Sequence, residues 1–179
     1  MNKKLENQIN APNVLPEVRY LVQVYQFEML PGEDTFYKNT YHSAGETPDG
    51  RPLGTAMIGM YCEKPLSLSR FHRLKSDEVW HFYAGDPFEL VLLYPDGTGK
   101  HVKMGGSPLS GSRIQFTIPA GTWQAGALIS GGKYALYGCT MTPGFDSRDF
   151  EIGSYEELIR EYPSFADEIR RLSTPLNPG

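Results

Sequence analysis

The sequence predicts an all-β protein, built as a sandwich or a barrel of antiparallel strands. Nine short stretches of strand-forming residues follow one another at near-regular spacing, separated by turn signals. This is the pattern of a sandwich or a barrel and not of βαβ units. The 19 glycines, the 14 prolines and the 12% of aromatic residues suit a β protein that is rich in loops.

The elements are predicted from the local pattern of apolar residues. Residues 1–12 are polar and are expected to be loose. From Pro16, apolar residues recur at helical spacing as far as Met29, and residues 30–34 end this helix. The strands are predicted at residues 35–41, 55–61, 67–74, 79–83, 88–94, 101–104, 114–118, 122–129 and 133–141.

Turn and cap signals define the connections. The turn at residues 85–87, Gly-Asp-Pro, predicts that the strands on either side of it pair as a hairpin. Residues 154–157 have the sequence of a capping box, so a short helix begins after Ser154 and ends at Pro163. A second short helix is predicted at residues 164–172, and residues 145–150 are expected to pack these helices over one end of the barrel.

The chain is expected to fold as one domain, because no internal repeat or linker divides it. We predict a flexible N-terminus at residues 1–13 and a single domain at residues 14–179 that includes the C-terminal helices. A domain of this length buries roughly two thirds of its unfolded surface without disulfides. Cys62 and Cys139 both lie in apolar strand-like runs, so two buried thiols in a reducing compartment are favoured over a disulfide.

Charge and targeting signals exclude several function classes. The net charge of −4, the pI near 5.6 and the lack of a Lys/Arg stripe argue against nucleic-acid binding. No apolar segment follows the N-terminal lysines, so a signal peptide is not expected, and no apolar run has the length that spans a bilayer. We therefore expect a soluble, cytoplasmic protein whose ligand is a small molecule.

Most of the residues capable of chemistry lie in residues 69–87, which hold two of the four histidines and one of the two tryptophans. Because side chains alternate along a strand, Arg70 and His72 are predicted to share one face, while Glu78 and Trp80 share another. If both faces line one cavity, it holds an imidazole, a carboxylate and an indole. Such a cavity suits a small polar molecule.

The spacing in this stretch resembles the first cupin signature, His-x-His, then three or four residues, Glu, six more residues and Gly. His72, Leu74, Glu78 and Gly85 occupy those positions, with leucine in place of the second histidine. Residues 119–124 resemble the second signature, Pro-x-Gly-x-x-His, with Gln124 in place of the histidine. The sequences of residues 71–81, 119–124 and 138–145 resemble those of the cupin type 5 family, a domain of unknown function. The resemblance covers roughly residues 14–160.

The resemblance implies a cupin-type double-stranded β-helix, that is, a jelly-roll barrel, with an N-terminal helix and short C-terminal helices. It also implies a pocket between two sheets and a homodimer. Residues 30–34 depart from the family's usual His-Pro-Glu-Gly-Gly. A cupin metal centre needs three imidazoles and a carboxylate, so with Leu74 and Gln124 in two of the ligand positions a divalent metal is disfavoured and no cofactor is predicted.

Two functions stay open on this basis. The first is a metal-free module that binds a nucleotide, a nucleotide sugar or another sugar-like metabolite. The second is a metal-free isomerase or epimerase in which His72 is the base and Glu78 orients it, as in the nucleotide-sugar epimerases among the cupins. A metal-dependent enzyme ranks third. The predicted ligand contacts are Arg70, Trp80, Gln124 and Tyr137, and the candidate acids are Tyr37, Tyr83 and Tyr137.

The other histidines and the second tryptophan are predicted to be structural. His81 alternates away from Glu78, so it is expected to face another sheet, a subunit or solvent. His42 and His101 are expected at the surface, and Trp123 is expected to pack.

Overall fold

The computed structural model of the protein describes residues 3–30 and 32–173. In this part of the chain two helices come first, eleven strands follow, and two helices come last. The helices are α1 (Lys3–Ile9), α2 (Pro16–Tyr25), α3 (Tyr155–Glu161) and α4 (Ala166–Leu172). The strands are β1 (Glu28–Leu30), β2 (Thr35–His42), β3 (Thr55–Cys62), β4 (Ser69–Arg73), β5 (Glu78–Gly85), β6 (Phe88–Leu93), β7 (Gly99–Met104), β8 (Gln115–Ile118), β9 (Trp123–Leu128), β10 (Tyr134–Met141) and β11 (Glu151–Ile152).

The strands form two antiparallel sheets. The first sheet has the order β1-β2-β3-β10-β5-β8, and the second has the order β11-β4-β9-β6-β7. Side chains alternate across each strand, so each sheet turns one row of side chains toward the other sheet. The predicted class, an all-β fold of two packed sheets with helices near both ends, is confirmed. Each of the nine predicted strands is present.

Apolar side chains pack in three layers. The layer between the sheets consists of Tyr61, Trp80, Phe88, Leu90, Leu92, Val102, Met104, Ile118, Ala135, Tyr137 and Cys139. The helices α1 and α2 pack on the outer face of the first sheet, against Phe36, Met60, Cys62 and Leu136. The helices α3 and α4 pack on the outer face of the second sheet, against Phe71, Val91, Leu93, Trp123 and Ala125. No helix in the described part of the chain is long and apolar enough to cross a membrane.

The N-terminal region differs from its prediction. Residues 3–9 form α1 where a loose segment was expected, because Leu5 and Ile9 are buried against the layer under α2. The helix α2 ends at Tyr25 and does not reach Met29, since Gln26 adopts a left-handed conformation with φ of 53°. Met29 lies instead in β1, a short strand that the sequence pattern did not reveal.

The predicted hairpin between residues 79–83 and 88–94 is wrong. The strand β5 pairs with β10 and β8 in the first sheet, whereas β6 pairs with β7 and β9 in the second. Gly85 has φ of 92°, and the next amide, that of Asp86, donates to Tyr134 O. The turn therefore carries the chain from one sheet to the other. Pro87, which has no amide hydrogen, cannot donate a backbone hydrogen bond to a neighbouring strand at this point.

The C-terminal helices follow the predicted signals. Ser154 Oγ accepts a hydrogen bond from the amide of Glu157, as a capping residue does, and α3 ends before Pro163. The segment 163–165 forms a single tight turn, so α4 begins at Ala166 and not at residue 164. Both helices lie on the face of the second sheet and not over an end of the barrel, because their apolar residues Leu158, Tyr162, Ile169 and Leu172 pack there.

We expect Gly59→Ala to lower the free energy of unfolding by about 1–3 kcal/mol, because the added methyl group would overlap the buried ring of Tyr137. Gly54→Ala is the matched control, since its methyl group would meet no atom closer than 3.4 Å. Its cost should stay within about 0.5 kcal/mol. Urea unfolding of the two variants measures both values, and equal stabilities would contradict the packing described for β3 and β10.

Candidate functional site

A cavity of about 140 Å³ opens at the end of the barrel where β2, β3, β4, β5 and β10 meet. Its polar lining residues are Glu33, Tyr37, Asn39, Thr55, His72 and Glu78. Its other lining residues are Leu30, Ala56, Met57, Leu74, Cys139, Met141, Phe145 and Phe150. Asn39 and Phe145 are exposed at the mouth, whereas Glu33, His72 and Glu78 are only 6%, 4% and 7% exposed and form the floor.

Glu78 is held at the floor by Trp80, two residues along the same strand β5, and by Gln124 on β9 of the other sheet. Trp80 Nε1 donates a hydrogen bond to Glu78 Oε2 at 2.9 Å and lies 3.0 Å from Gln124 Oε1. Gln124 Nε2 donates to the same Glu78 oxygen at 2.9 Å. Burial raises the pKa of Glu78, and His72 together with these two hydrogen bonds lowers it in part. The Cys139 thiol also contacts the Glu78 carboxylate as a weak donor, and Oε1 is the oxygen that accepts from neither Trp80 nor Gln124.

His72 is a neutral base in this setting. Its Nδ1 lies 2.7 Å from the carbonyl oxygen of Arg70, which can only accept, so Nδ1 carries the proton and Nε2 is the nitrogen available to a ligand. Burial lowers the pKa of His72, although Glu78 raises it in part. The imidazole stacks on the ring of Phe150, with ring centroids 5.4 Å apart.

Glu33 is a second buried carboxyl group at the floor. Its Oε2 lies 3.4 Å from His72 Nδ1. Burial raises the pKa of Glu33 to about 8, and a hydrogen bond with Ser69 lowers it in part. Because burial shifts Glu33 and His72 toward their neutral forms, we describe the two as polar neighbours and not as an ion pair. Burial also raises the pKa of the Cys139 thiol well above its ordinary value, so that wall of the cavity is neutral.

The turn that carries Glu33 is bound to β4. The amide of Arg70 donates to Glu33 O, and the amide of Leu68 donates to Asp34 O. Asp34 has φ of 59°, which lets the turn double back. Sequence reasoning missed Glu33, because acidic residues after Pro-Gly are typical of an exposed turn. The one signal there, the departure of residues 30–34 from the family pattern, gave no role to any residue.

The structure brings His72 and Glu78 to one cavity and places Trp80, Gln124 and Tyr137 behind them. Tyr137 does not line the cavity. Its hydroxyl group lies 2.8 Å from Thr35 Oγ1, and its ring stacks on Trp80 at 4.7 Å.

Arg70, expected on the face of His72, points elsewhere. Its guanidinium group pairs with Asp34 at 3.0 Å and donates to Ser173 O at 3.1 Å. The pairing of β4 with β9 shifts register between Ser69 and His72, and this irregularity breaks the simple alternation.

The three tyrosines that were candidate acids lie in three different places. Of these, Tyr37 lines the cavity, Tyr137 lies in the core and Tyr83 is exposed. His81 lies on the outer face of the first sheet, with Nε2 2.9 Å from Thr140 Oγ1. Trp123 is buried under the helices and carries the guanidinium group of Arg73 over its ring at 4.3 Å. His42 and His101 are exposed, as expected.

A family model described as Cupin superfamily (DUF985) matches residues 19–153 of the chain. The chain belongs to this family. The predicted membership is therefore confirmed, and so is the cupin-type jelly roll. The family is one of unknown function, and its description assigns neither a ligand nor a reaction.

Three similar proteins have names that assign no role. A hypothetical protein from Leishmania major is 27% identical, with a TM-score of 0.77, and the match covers 86% of this chain and 97% of that one. A protein from Shewanella oneidensis is 29% identical, with a TM-score of 0.80, covering 88% and 97%. An uncharacterized protein of Saccharomyces cerevisiae is 26% identical over 111 residues, which is 59% of this chain and 55% of the yeast protein.

The donor set of the cavity does not fit a cupin metal centre. Leu74 lines the cavity where a second histidine would lie, and Gln124 uses its amide oxygen and nitrogen on Trp80 and Glu78. Within residues 3–30 and 32–173, no three His, Cys, Asp or Glu side chains are arranged to hold a metal ion. Glu33 adds a carboxyl group to the floor but no imidazole. The chemistry of the site is therefore derived below from the side chains alone.

Glu33 makes the stability of the protein depend on pH. Its pKa is about 8 in the folded protein against an ordinary 4.5, so its contribution to stability is complete below pH 4.5 and is lost as the pH rises through about 8. We expect Glu33 to lower the free energy of unfolding over this window by at most about 1.4 kcal/mol per pH unit, in addition to the share of Glu78, whose pKa burial also raises.

The Glu33→Gln variant should lose the share of this slope that Glu33 contributes, because its amide does not titrate. Glu63→Gln, which changes an exposed glutamate, is the control and should keep the slope of the wild type. Denaturant unfolding measured from pH 5 to pH 8 checks this expectation. A wild-type slope that Glu33→Gln leaves intact would contradict the burial described for Glu33.

Proposed function

We propose that the protein binds a small polar metabolite in the cavity without the help of a metal ion. The observation that carries this proposal is the contrast between the floor and the walls. The floor presents Glu33, His72 and Glu78, all buried, and the walls are formed mostly by apolar side chains. Ligand sites are typically concave and apolar, with a few convergent polar groups that fix the orientation of the ligand.

The size of the cavity limits its ligand. Ligand pockets usually enclose roughly 300–1,000 Å³, and this one measures about 140 Å³. A cavity of about 150 Å³ holds one benzene molecule. A ligand of about six non-hydrogen atoms would therefore be enclosed, and a nucleotide or a nucleotide sugar would place only one end inside. We accordingly favour a single small metabolite over a whole nucleotide.

The alternative is a metal-free isomerase or epimerase, and one observation favours it. His72 keeps a free Nε2, whereas Glu33 beside it has its pKa raised to about 8. At neutral pH one floor residue can thus accept a proton while its neighbour can donate one. Neighbouring groups whose environments push their pKa values apart are the usual pattern of general acid–base catalysis. Dimerisation and a cytoplasmic location stay predictions.

We expect His72→Ala to abolish ligand binding, since it removes the acceptor at the floor. The measurement is a thermal-shift screen of the wild type against small amines, alcohols, sugars and carboxylic acids, because a ligand that binds only the folded state raises its stability. His101→Ala is the matched control, because His101 is exposed on β7 of the second sheet and is not among the lining residues.

A hit that stabilises the wild type and His101→Ala but not His72→Ala supports binding in the cavity. A hit that stabilises all three proteins binds elsewhere. For the isomerase alternative, the same hit is followed by proton exchange in D₂O. Exchange of the ligand's carbon-bound hydrogens that the wild type and His101→Ala catalyse but His72→Ala does not would identify a catalyst, and no exchange in the wild type leaves the binding function.

We expect protein purified without chelator to hold far less than one equivalent of Fe, Mn or Zn, because the cavity offers one imidazole where a cupin centre has three. The double substitution Leu74→His with Gln124→His restores the family's donor types and should raise the metal content. Leu74→His alone is the control, since it keeps Gln124 on Glu78. Elemental analysis of the three proteins decides, and a stoichiometric metal in the wild type would overturn the metal-free account.

A further inference from the structure

The charges around the cavity are unbalanced. Among the described residues that line it, two carry carboxyl groups and none is a lysine or an arginine. The cations on the neighbouring loops are already paired: Arg51 with Asp49 and Asp149, Lys75 with Asp149, and Arg148 with Asp146. A phosphate or a carboxylate entering the cavity would therefore meet acidic groups and no free cation.

The floor also presents acceptors where a ligand would bind. His72 uses Nδ1–H on Arg70 O, which leaves the lone pair of Nε2. Glu78 receives Trp80 and Gln124 on Oε2, and its only other side-chain donor among the described residues is the Cys139 thiol, a weak donor, so Oε1 can still accept from a ligand. His72 is more than nine-tenths buried, so these atoms belong to an enclosed surface and not to a solvated face. A ligand that satisfies them must bring several hydrogen-bond donors.

The mouth carries an aromatic corner. The rings of Phe145 and Phe150 lie 6.3 Å apart at 65°, and both line the cavity together with Tyr37. Aromatic faces attract cations placed within about 6 Å of the ring centre. They have no comparable attraction for the oxygens of an anion.

We propose that the ligand of this cavity is a small organic cation with a primary ammonium group, bound by Glu33, Glu78 and His72 at the floor beneath Phe145 and Phe150. This inference rests on the proposed binding function and specifies its ligand class. Each N–H of an ammonium group is a donor, and its charge favours the ionised form of Glu78 and draws Glu33, neutral without a ligand, to its carboxylate form. The cost of burying such a carboxylate is also the reason that burial raises the pKa of Glu33.

Three probes of nearly equal shape test the charge of the ligand: butylamine, butan-1-ol and butanoate. At pH 7 they present an ammonium group, a hydroxyl group and a carboxylate on the same chain, and each fits a cavity of this size. We expect butylamine to bind at least about tenfold more tightly than butan-1-ol, as one hydrogen bond to a charged group implies, and butanoate to bind least. Isothermal titration calorimetry measures the three affinities.

Glu33→Gln and Glu78→Gln should each lower the affinity for butylamine by about tenfold or more. The affinity for butan-1-ol should stay within about threefold of the wild-type value. Glu63→Gln, at an exposed glutamate, should change neither affinity. Both floor substitutions keep the shape of the side chain, and a melting curve without probe confirms that each variant is folded. Mg²⁺ is titrated in parallel, and stabilisation by Mg²⁺ equal to that by butylamine would overturn the assignment to an organic cation.

The ammonium proposal fails if butan-1-ol or butanoate binds as tightly as butylamine, if the preference for butylamine survives in both floor variants, or if butylamine does not bind. The proposed binding function is judged separately by its dependence on His72. Butan-1-ol that binds as tightly as butylamine, with both affinities lost in His72→Ala, would refute the ammonium group and still support a ligand cavity.

Discussion

The site depends on one constraint: a carboxyl group buried in the barrel must have hydrogen-bond partners. A buried carboxylate without partners costs several kcal/mol or more, so its neighbours cannot be chosen freely. Trp80 and Gln124 supply those partners to Glu78. Because both side chains are then occupied, Gln124 is fixed behind the carboxylate and not toward the cavity, and Trp80 is fixed against Tyr137 in the core. The same network therefore connects the floor of the cavity to the packing between the sheets.

The second carboxyl group follows from the turn before β2. Glu33 enters the cavity because backbone hydrogen bonds tie its turn to β4. Arg70, on the same stretch of β4, is occupied with Asp34 and Ser173 and does not neutralise the floor. The result is a floor with acidic and acceptor groups and no cation, under apolar walls. Leu74 stands where a cupin metal centre has a histidine, and the turn before β2 supplies Glu33 to the floor. The cavity therefore has a different chemistry within the same barrel architecture.

Much of the fold could be predicted from the sequence, because strand-forming runs and turn residues are local signals. The elements that escaped depend on distant contacts. Helix α1 is stabilised by burial of Leu5 and Ile9 under α2, and β1 is only three residues long. The Gly85–Pro87 turn has the composition of a hairpin but changes sheets, since the partner of β5 is β10, far along the chain. In the site, the alternation of side chains along the strands correctly predicted that His72 and Glu78 line one cavity. It failed at Arg70, where β4 is irregular, and it could not reach Glu33, which lies in a turn.

Two carboxyl groups, those of Glu33 and Glu78, are buried at the floor of the cavity, and none of the described residues that line it is a lysine or an arginine. The most direct measurement is a ¹³C NMR titration of the glutamate carboxyl carbons, with Glu33→Gln and Glu78→Gln used for assignment. We expect Glu33 to titrate near pH 8 and Glu78 to titrate above the ordinary value of 4.5, because burial desolvates both groups. Titration of both groups at or below that value would show that they are solvated or balanced by a cation, and would contradict their burial at the floor.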